Sequence, residues 1–219
     1  MMENVINEII NEKIIVIVRG VERKLLLELA DALYDGGIRL MEITYTADRP
    51  EKDKETAETI RALAEKMNGK MYIGAGTVTR NEQVTLTKNA GGKFIISPDT
   101  NPELIAYTKK LGLVSIPGAL TPSEISLASR SGADFVKLFP ASVFGPSYVK
   151  TIKAPLSNVR ILAVGGVNPT TMPEYAKAGA CGFGIGMNTN LATPAMIEAR
   201  DFSTITESTR KFVEMAKSL

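Results

Sequence analysis

Short apolar, β-branched runs recur eight times along the chain. Each is followed by a turn-forming stretch and then by a segment with helical periodicity. The runs are IIVIVR (14–19), IRLMEIT (38–44), KMYIGAGT (70–77), KFIISP (93–98), LVSIPG (113–118), DFVKLFP (134–140), VRILAVGG (159–166) and CGFGIG (181–186). Successive runs begin roughly 20 to 30 residues apart, the length of one βα unit. Between them, Leu25, Leu26, Leu29 and Leu33 share one face of a helix predicted over 22–35, and Ile60, Leu63, Ala64 and Met67 share one face over 55–67. Thr121-Pro122-Ser123-Glu124 reads as an N-cap, a first-turn proline and an acid; Asn101-Pro102-Glu103 and Asn168-Pro169 read similarly. Gly36-Gly37, Gly91-Gly92, Gly112, Gly132 and Gly179 mark helix ends. A first helix is expected over about 3–11 and a last one over 204–217.

Strands that are almost wholly apolar and alternate with helices predict a parallel sheet covered by helices. Eight units without a linker favour a closed barrel: a single-domain parallel (β/α)₈ TIM barrel over residues 1–219 with an extra N-terminal helix. A doubly wound open sheet is the alternative. Against it, no GxGxxG follows the first run; GAG at 74–76 is too short, and GFGIG at 182–186 lies at the far end.

Composition narrows the chemistry. Among 219 residues there is no histidine and one cysteine, Cys181. A His-ligated zinc, a multi-thiolate metal site and a Ser-His or Cys-His nucleophile are thereby excluded. Acid–base work falls to Asp, Glu, Lys, Tyr or water. A net charge of +2 points to neither nucleic acid nor a membrane surface. No apolar run approaches a membrane span, and the acidic N-terminus lacks a secretory n-region, so the expected location is cytoplasmic.

In a barrel of this kind, functional groups sit at the C-terminal ends of the strands and face inward. The two-residue strand period puts Ile15, Ile17 and Arg19 on one face, Leu40, Glu42 and Thr44 on another, then Ile73, Ala75 and Thr77, then Phe135, Lys137 and Phe139. Val18, Ile43, Val136 and Leu138 would face the helices. Lys137 is costly to bury as a cation; desolvation favours the neutral amine, which attacks a ketone to form an imine. A lysine snorkelling outward, or paired structurally with a carboxylate, is the competing explanation. Glu42, in an equally apolar context, would move protons or make a structural salt bridge to Arg19 or Lys137. Arg19 and Thr77 suit a substrate carboxylate or hydroxyl. Gly165-Gly166 and Gly184-Ile185-Gly186 follow the last two strands, where backbone N–H groups often hold phosphate.

The chain resembles the 2-keto-3-deoxy-6-phosphogluconate (KDPG) aldolases, grouped with 4-hydroxy-2-oxoglutarate (KHG) aldolases. The resemblance rests on IVRG (17–20), GGIRLMEITYT (36–46), IGAGTV (73–78), FIISP (94–98), SIPGALTPSEI (115–125), ADFVKLFPA (133–141), KAPLSNVRILAVGGVN (153–168) and AGACGFGIG (178–186). It implies a homotrimeric barrel that uses no metal and no cofactor. It makes Lys137 the Schiff-base lysine and Glu42 the general acid/base, with Arg19 and Thr77 at the pyruvyl part, Phe139 on the imine and Gly165 and Gly166 at the phosphate; Gly186 is assigned with them to substrate binding. Two positions depart from the pattern. Thr46 stands where many members carry an arginine, with Arg49 nearby; it is assigned here to substrate binding. Met187 and Asn188 follow the last glycines where many members have a serine, and of the two only Asn188 could donate.

The expected activity is reversible cleavage of 2-dehydro-3-deoxy-6-phosphogluconate to pyruvate and glyceraldehyde 3-phosphate. The expected partner is a small phosphorylated 2-keto acid. Alternatives are 4-hydroxy-2-oxoglutarate cleavage to pyruvate and glyoxylate, the galactonate epimer, a phosphate-binding barrel that forms no imine, and a non-catalytic sugar-acid-binding barrel. Turnover separates the last from the others, and imine trapping separates the imine enzymes from the remainder.

Overall fold

The computed structural model describes residues 2–187 and 189–219. Helix α1 (Met2–Glu12) precedes β1 (Ile14–Val18), α2 (Arg23–Asp35), β2 (Leu40–Thr44), α3 (Asp53–Lys66), β3 (Tyr72–Gly76), α4 (Asn81–Asn89), β4 (Phe94–Ile96) and α5 (Pro102–Lys110). The second half runs β5 (Val114–Ile116), β6 (Gly118–Ala119), α6 (Pro122–Arg130), β7 (Val136–Leu138), α7 (Gly145–Lys153), β8 (Ile161–Val164), α8 (Met172–Lys177), β9 (Ala180–Gly186), α9 (Pro194–Glu198) and α10 (Phe202–Lys217). Every strand pairing is parallel, in the order β5-β4-β3-β2-β1-β9-β8-β7-β6. Strands β5 and β6 are halves of one predicted run. Pro117 separates them because it has no N–H to donate, while its carbonyl accepts from Lys137 N at 2.8 Å. One half pairs with β4 and the other with β7, so the ring closes as the predicted barrel and the open-sheet alternative falls.

Two apolar layers form the core. The outer one lies between strands and helices and takes Val16, Val18, Ile43, Val136 and Leu138, the parity expected. The inner one fills the lower barrel with Ile15, Leu40, Phe94, Val114, Phe135 and Leu162. Helix α1 sets Val5 and Ile9 against this inner layer and stoppers the end where the strands begin. Each such side chain, fully buried, contributes roughly 1.5–3 kcal/mol. With the lower end packed and closed, polar inward residues have room only at the upper end.

Strand β3 departs from the expected facing. Ile73 and Ala75 belong to the outer layer, not the interior. The inward positions are Tyr72, which packs on the inner layer, and Gly74, where a Cβ would strike the ring of Phe94. The run YIGAG is apolar or small on both faces, so alternation carried no signal. The helix predicted over 55–67 begins earlier, at Asp53, and the last one at Phe202; α9 was not anticipated. Thr121 makes a full capping box with Glu124, and Asn101 caps α5. Asn168 instead caps a turn: its side chain accepts from Thr170 N and Thr171 N, and α8 starts only at Met172. Among the described residues no helix is long and apolar enough to cross a membrane.

Candidate active site

Glu42 and Lys137 both project into a pocket of about 510 Å³ at the C-terminal end of the strands. Strand β2 delivers Glu42, which is 1% exposed, and β7 delivers Lys137. Glu42 Oε2 is buried and has no hydrogen-bond partner among the described residues. No ion pair joins it to Arg19 or Lys137 among the described residues, and an unpaired buried oxygen is costly to the fold. Burial pushes the Glu42 carboxyl up to about 7, against the pull of the Lys137 and Arg19 charges. Burial also lowers the Lys137 amine, Glu42 opposes that shift, and Arg19 adds to it. Burial thus favours the neutral form of both groups, a carboxyl that can hold a proton and an amine that can act as a nucleophile. The Lys137 Nζ lies 4.7 Å from the ring centroid of Phe139.

Arg19 and Thr77 meet at the rim, where Arg19 Nη2 donates to Thr77 Oγ1 at 2.8 Å. Both line the pocket. Thr77 arrives there by a route that strand parity did not foresee. It follows β3 with φ of 54°, in the left-handed region, and this reverses the alternation and turns its side chain inward.

Gly165, Gly166 and Gly186 line the pocket with Phe139. Gly165 has φ of 96°, and a Cβ there would meet the Phe139 ring at 3.4 Å. That contact is ordinary, so the left-handed backbone rather than lack of space calls for glycine at this turn. Thr46 is not in this pocket. It lines a separate groove with Gly20, Arg23 and Lys52, because β2 ends at Thr44 and the chain turns outward after the buried Tyr45. Met187 lines the pocket at 8% exposure and brings no donor. Asn188 lies outside the described residues.

Sequence reasoning missed Val164, Thr189 and Pro194, which also line the pocket. Val164 occupies an inward position of β8 and was hidden in a uniformly apolar run. Thr193-Pro194 is a cap-plus-proline signal like Thr121-Pro122, and Thr193 Oγ1 accepts from Met196 N. Thr189 gave no signal; its hydroxyl donates to Gly186 O at 2.6 Å and tightens the last glycine turn.

The model of the KDPG and KHG aldolase family matches residues 5–208. The chain is 34% identical to the 2-dehydro-3-deoxy-6-phosphogalactonate aldolase of Escherichia coli K12, over 79% of this chain and 82% of that protein. It is 31% identical to the 2-dehydro-3-deoxy-phosphogluconate aldolase of Treponema pallidum, over 85% of each. The KDPG aldolase of Legionella pneumophila, solved with pyruvate captured as a covalent carbinolamine, superposes with a TM-score of 0.81 at 25% identity, covering 97% of this chain and 98% of that one. Residue pattern, barrel and pocket agree with these matches: the chain belongs to the KDPG and KHG aldolase family and is a carbon–carbon lyase.

Proposed function

We propose that the chain cleaves a 2-keto-3-deoxy-6-phospho sugar acid to pyruvate and glyceraldehyde 3-phosphate through an imine on Lys137. The observation that carries this reading is the buried Glu42 carboxyl, with Oε2 unpartnered among the described residues, in one pocket with the Lys137 amine. Lys137 Nζ attacks C2 of the ketone, and the carbinolamine loses water to give an iminium. The carboxylate of Glu42 takes the C4 hydroxyl proton, directly or through water. The C3–C4 bond then breaks, its electron pair moves toward the iminium nitrogen, and glyceraldehyde 3-phosphate leaves. Glu42 returns the proton to C3 of the enamine, and hydrolysis frees pyruvate and the amine. Arg19 and Thr77 receive the pyruvyl carboxylate, Phe139 packs on the imine, and the backbone at Gly165, Gly166 and Gly186 receives the phosphate.

The gluconate and galactonate acids give the same products. The relative at 34% identity supports the galactonate acid, while the family model also includes the gluconate and 4-hydroxy-2-oxoglutarate enzymes. The chain is further proposed to assemble as a homotrimer. Val143 and Phe144, 61% and 51% exposed close to the pocket, form an apolar surface that self-association would cover. A monomer mass by sedimentation equilibrium would remove that part.

The test is borohydride reduction in the presence of pyruvate, with peptide mapping. A stable adduct on Lys137 is expected, and a folded protein with no adduct overturns the mechanism. Side-by-side turnover of the three keto acids then assigns the substrate.

A further inference from the structure

A second polar network lies behind the pocket and joins it through the backbone. Asp53, at the start of α3, is 7% exposed, and both its carboxylate oxygens accept hydrogen bonds. Arg80 Nη2 donates to Oδ2 at 2.7 Å and Gln83 Nε2 to Oδ1 at 3.1 Å. The other arm of Arg80 donates to Ala47 O at 3.2 Å, in the loop that leaves β2. Gln83 Oε1 accepts from Thr79 N at 2.9 Å. Tyr45, fully buried, donates its hydroxyl to Gln83 O at 3.3 Å, and its own N–H to Gly76 O at 2.9 Å.

These bonds bracket position 77 from both sides. Gly76 is tied to the exit of β2, and Thr79 and Arg80 are tied to α3 and to Ala47. Between them Thr77 holds φ of 54°. A β-branched residue stays in that region only when its surroundings over-determine it. A partly buried pair such as Asp53–Arg80 is weak evidence for stability, because desolvation offsets most of the attraction. Its fixed, multiply hydrogen-bonded geometry does constrain the two loops. None of Asp53, Arg80 and Gln83 lines the pocket.

We propose that Asp53, Arg80 and Gln83 are positioning residues that hold Thr77 in its left-handed conformation and thereby place the Arg19 guanidinium for the substrate's carboxylate. This rests on the aldolase reading above. The network acts through the Arg19–Thr77 hydrogen bond at 2.8 Å and touches neither the amine nor Glu42 Oε2. Breaking it should weaken recognition of the carboxylate and leave imine formation itself intact.

The experiment compares borohydride trapping by the full chain with pyruvate and with acetone, a ketone that lacks the carboxylate. The variants are Asp53→Asn and Arg80→Lys. The second keeps a cation facing Asp53 but cannot also reach Ala47 with a rigid fork. Its side chain is 31% exposed, so it carries the comparison if Asp53→Asn does not fold. The half-saturating pyruvate concentration should rise by about tenfold, and acetone trapping should stay within about twofold of the parent. An unchanged pyruvate curve, or pyruvate and acetone trapping falling together, overturns the proposal. Absence of any pyruvate adduct on the unmodified chain would overturn the aldolase reading and this proposal with it. An adduct there with unaffected variants removes only the positioning role.

Discussion

The carboxylate of Glu42 fills the space that a side chain at position 76 would need: a Cβ on Gly76 would lie 2.5 Å from Glu42 Cδ. Gly76 is inward on β3 beside β2, and its backbone is held by the ladder, so the carboxylate would have to move. Gly76→Ala should therefore lower turnover by about a hundredfold, the effect of displacing a reacting group by roughly 1 Å. Steady-state rates alongside a thermal melt check this. Near-parental turnover would show that Glu42 need not sit where it does.

Glu42→Gln should cost about 10²–10⁴-fold in kcat, because an amide cannot accept the hydroxyl proton. Its stability should move the other way at high pH. Folding raises the Glu42 carboxyl from 4.5 to about 7, so the folded chain holds this proton more tightly than the unfolded chain. The stabilisation is complete below about pH 4.5 and is lost as pH rises through about 7. Above that, the glutamine variant should be the more stable by up to about 3 kcal/mol. Denaturant unfolding at about pH 5 and 8 measures the difference. A parent–variant gap that does not grow between these pH values would rule out the raised carboxyl.

Thr77→Gly separates strain from function. Glycine relieves roughly 1–2 kcal/mol of left-handed strain against about 0.5–1 kcal/mol of added chain entropy. The melting temperature should hold or rise. The Arg19 bond to Oγ1 disappears, and KM for the keto acid should rise by about tenfold. A fall in melting temperature with unchanged KM would mean that Thr77 serves the fold and not the ligand.

Met187→Ser puts a hydroxyl beside the last glycine turn. It should cost about 2 kcal/mol of stability through the lost buried side chain. KM for a 6-phosphorylated substrate should fall severalfold, and KM for 4-hydroxy-2-oxoglutarate should not change. Equal KM changes for both substrates would place the phosphate elsewhere.

Much was legible in the chain itself. The barrel followed from eight apolar runs at βα spacing, because burial on both faces of a strand leaves a continuous apolar record. Lys137 and Glu42 stand out because each is a charge set in such a record, where its inward parity could be counted, and both line the pocket. Thr77 reaches the pocket by a route that parity did not give: Ile73 and Ala75 face the helices, and a left-handed residue brings Thr77 round. Thr46 was placed by resemblance and lies in another groove.

What the sequence determined by itself was the period of the elements and the few polar residues that break it, since both are local properties of burial. Which of those residues share a pocket was decided by ring closure, which brings β2 and β7 to one mouth. The Asp53–Arg80–Gln83 network was decided there too. Arg80 and Gln83, at the start of α4, lie 27 and 30 positions from Asp53 in α3, and each looks like an ordinary surface residue until packing removes its water. Hydrogen bonding between distant segments leaves no periodic trace in the chain; it exists only once the backbone has fixed where the donors point.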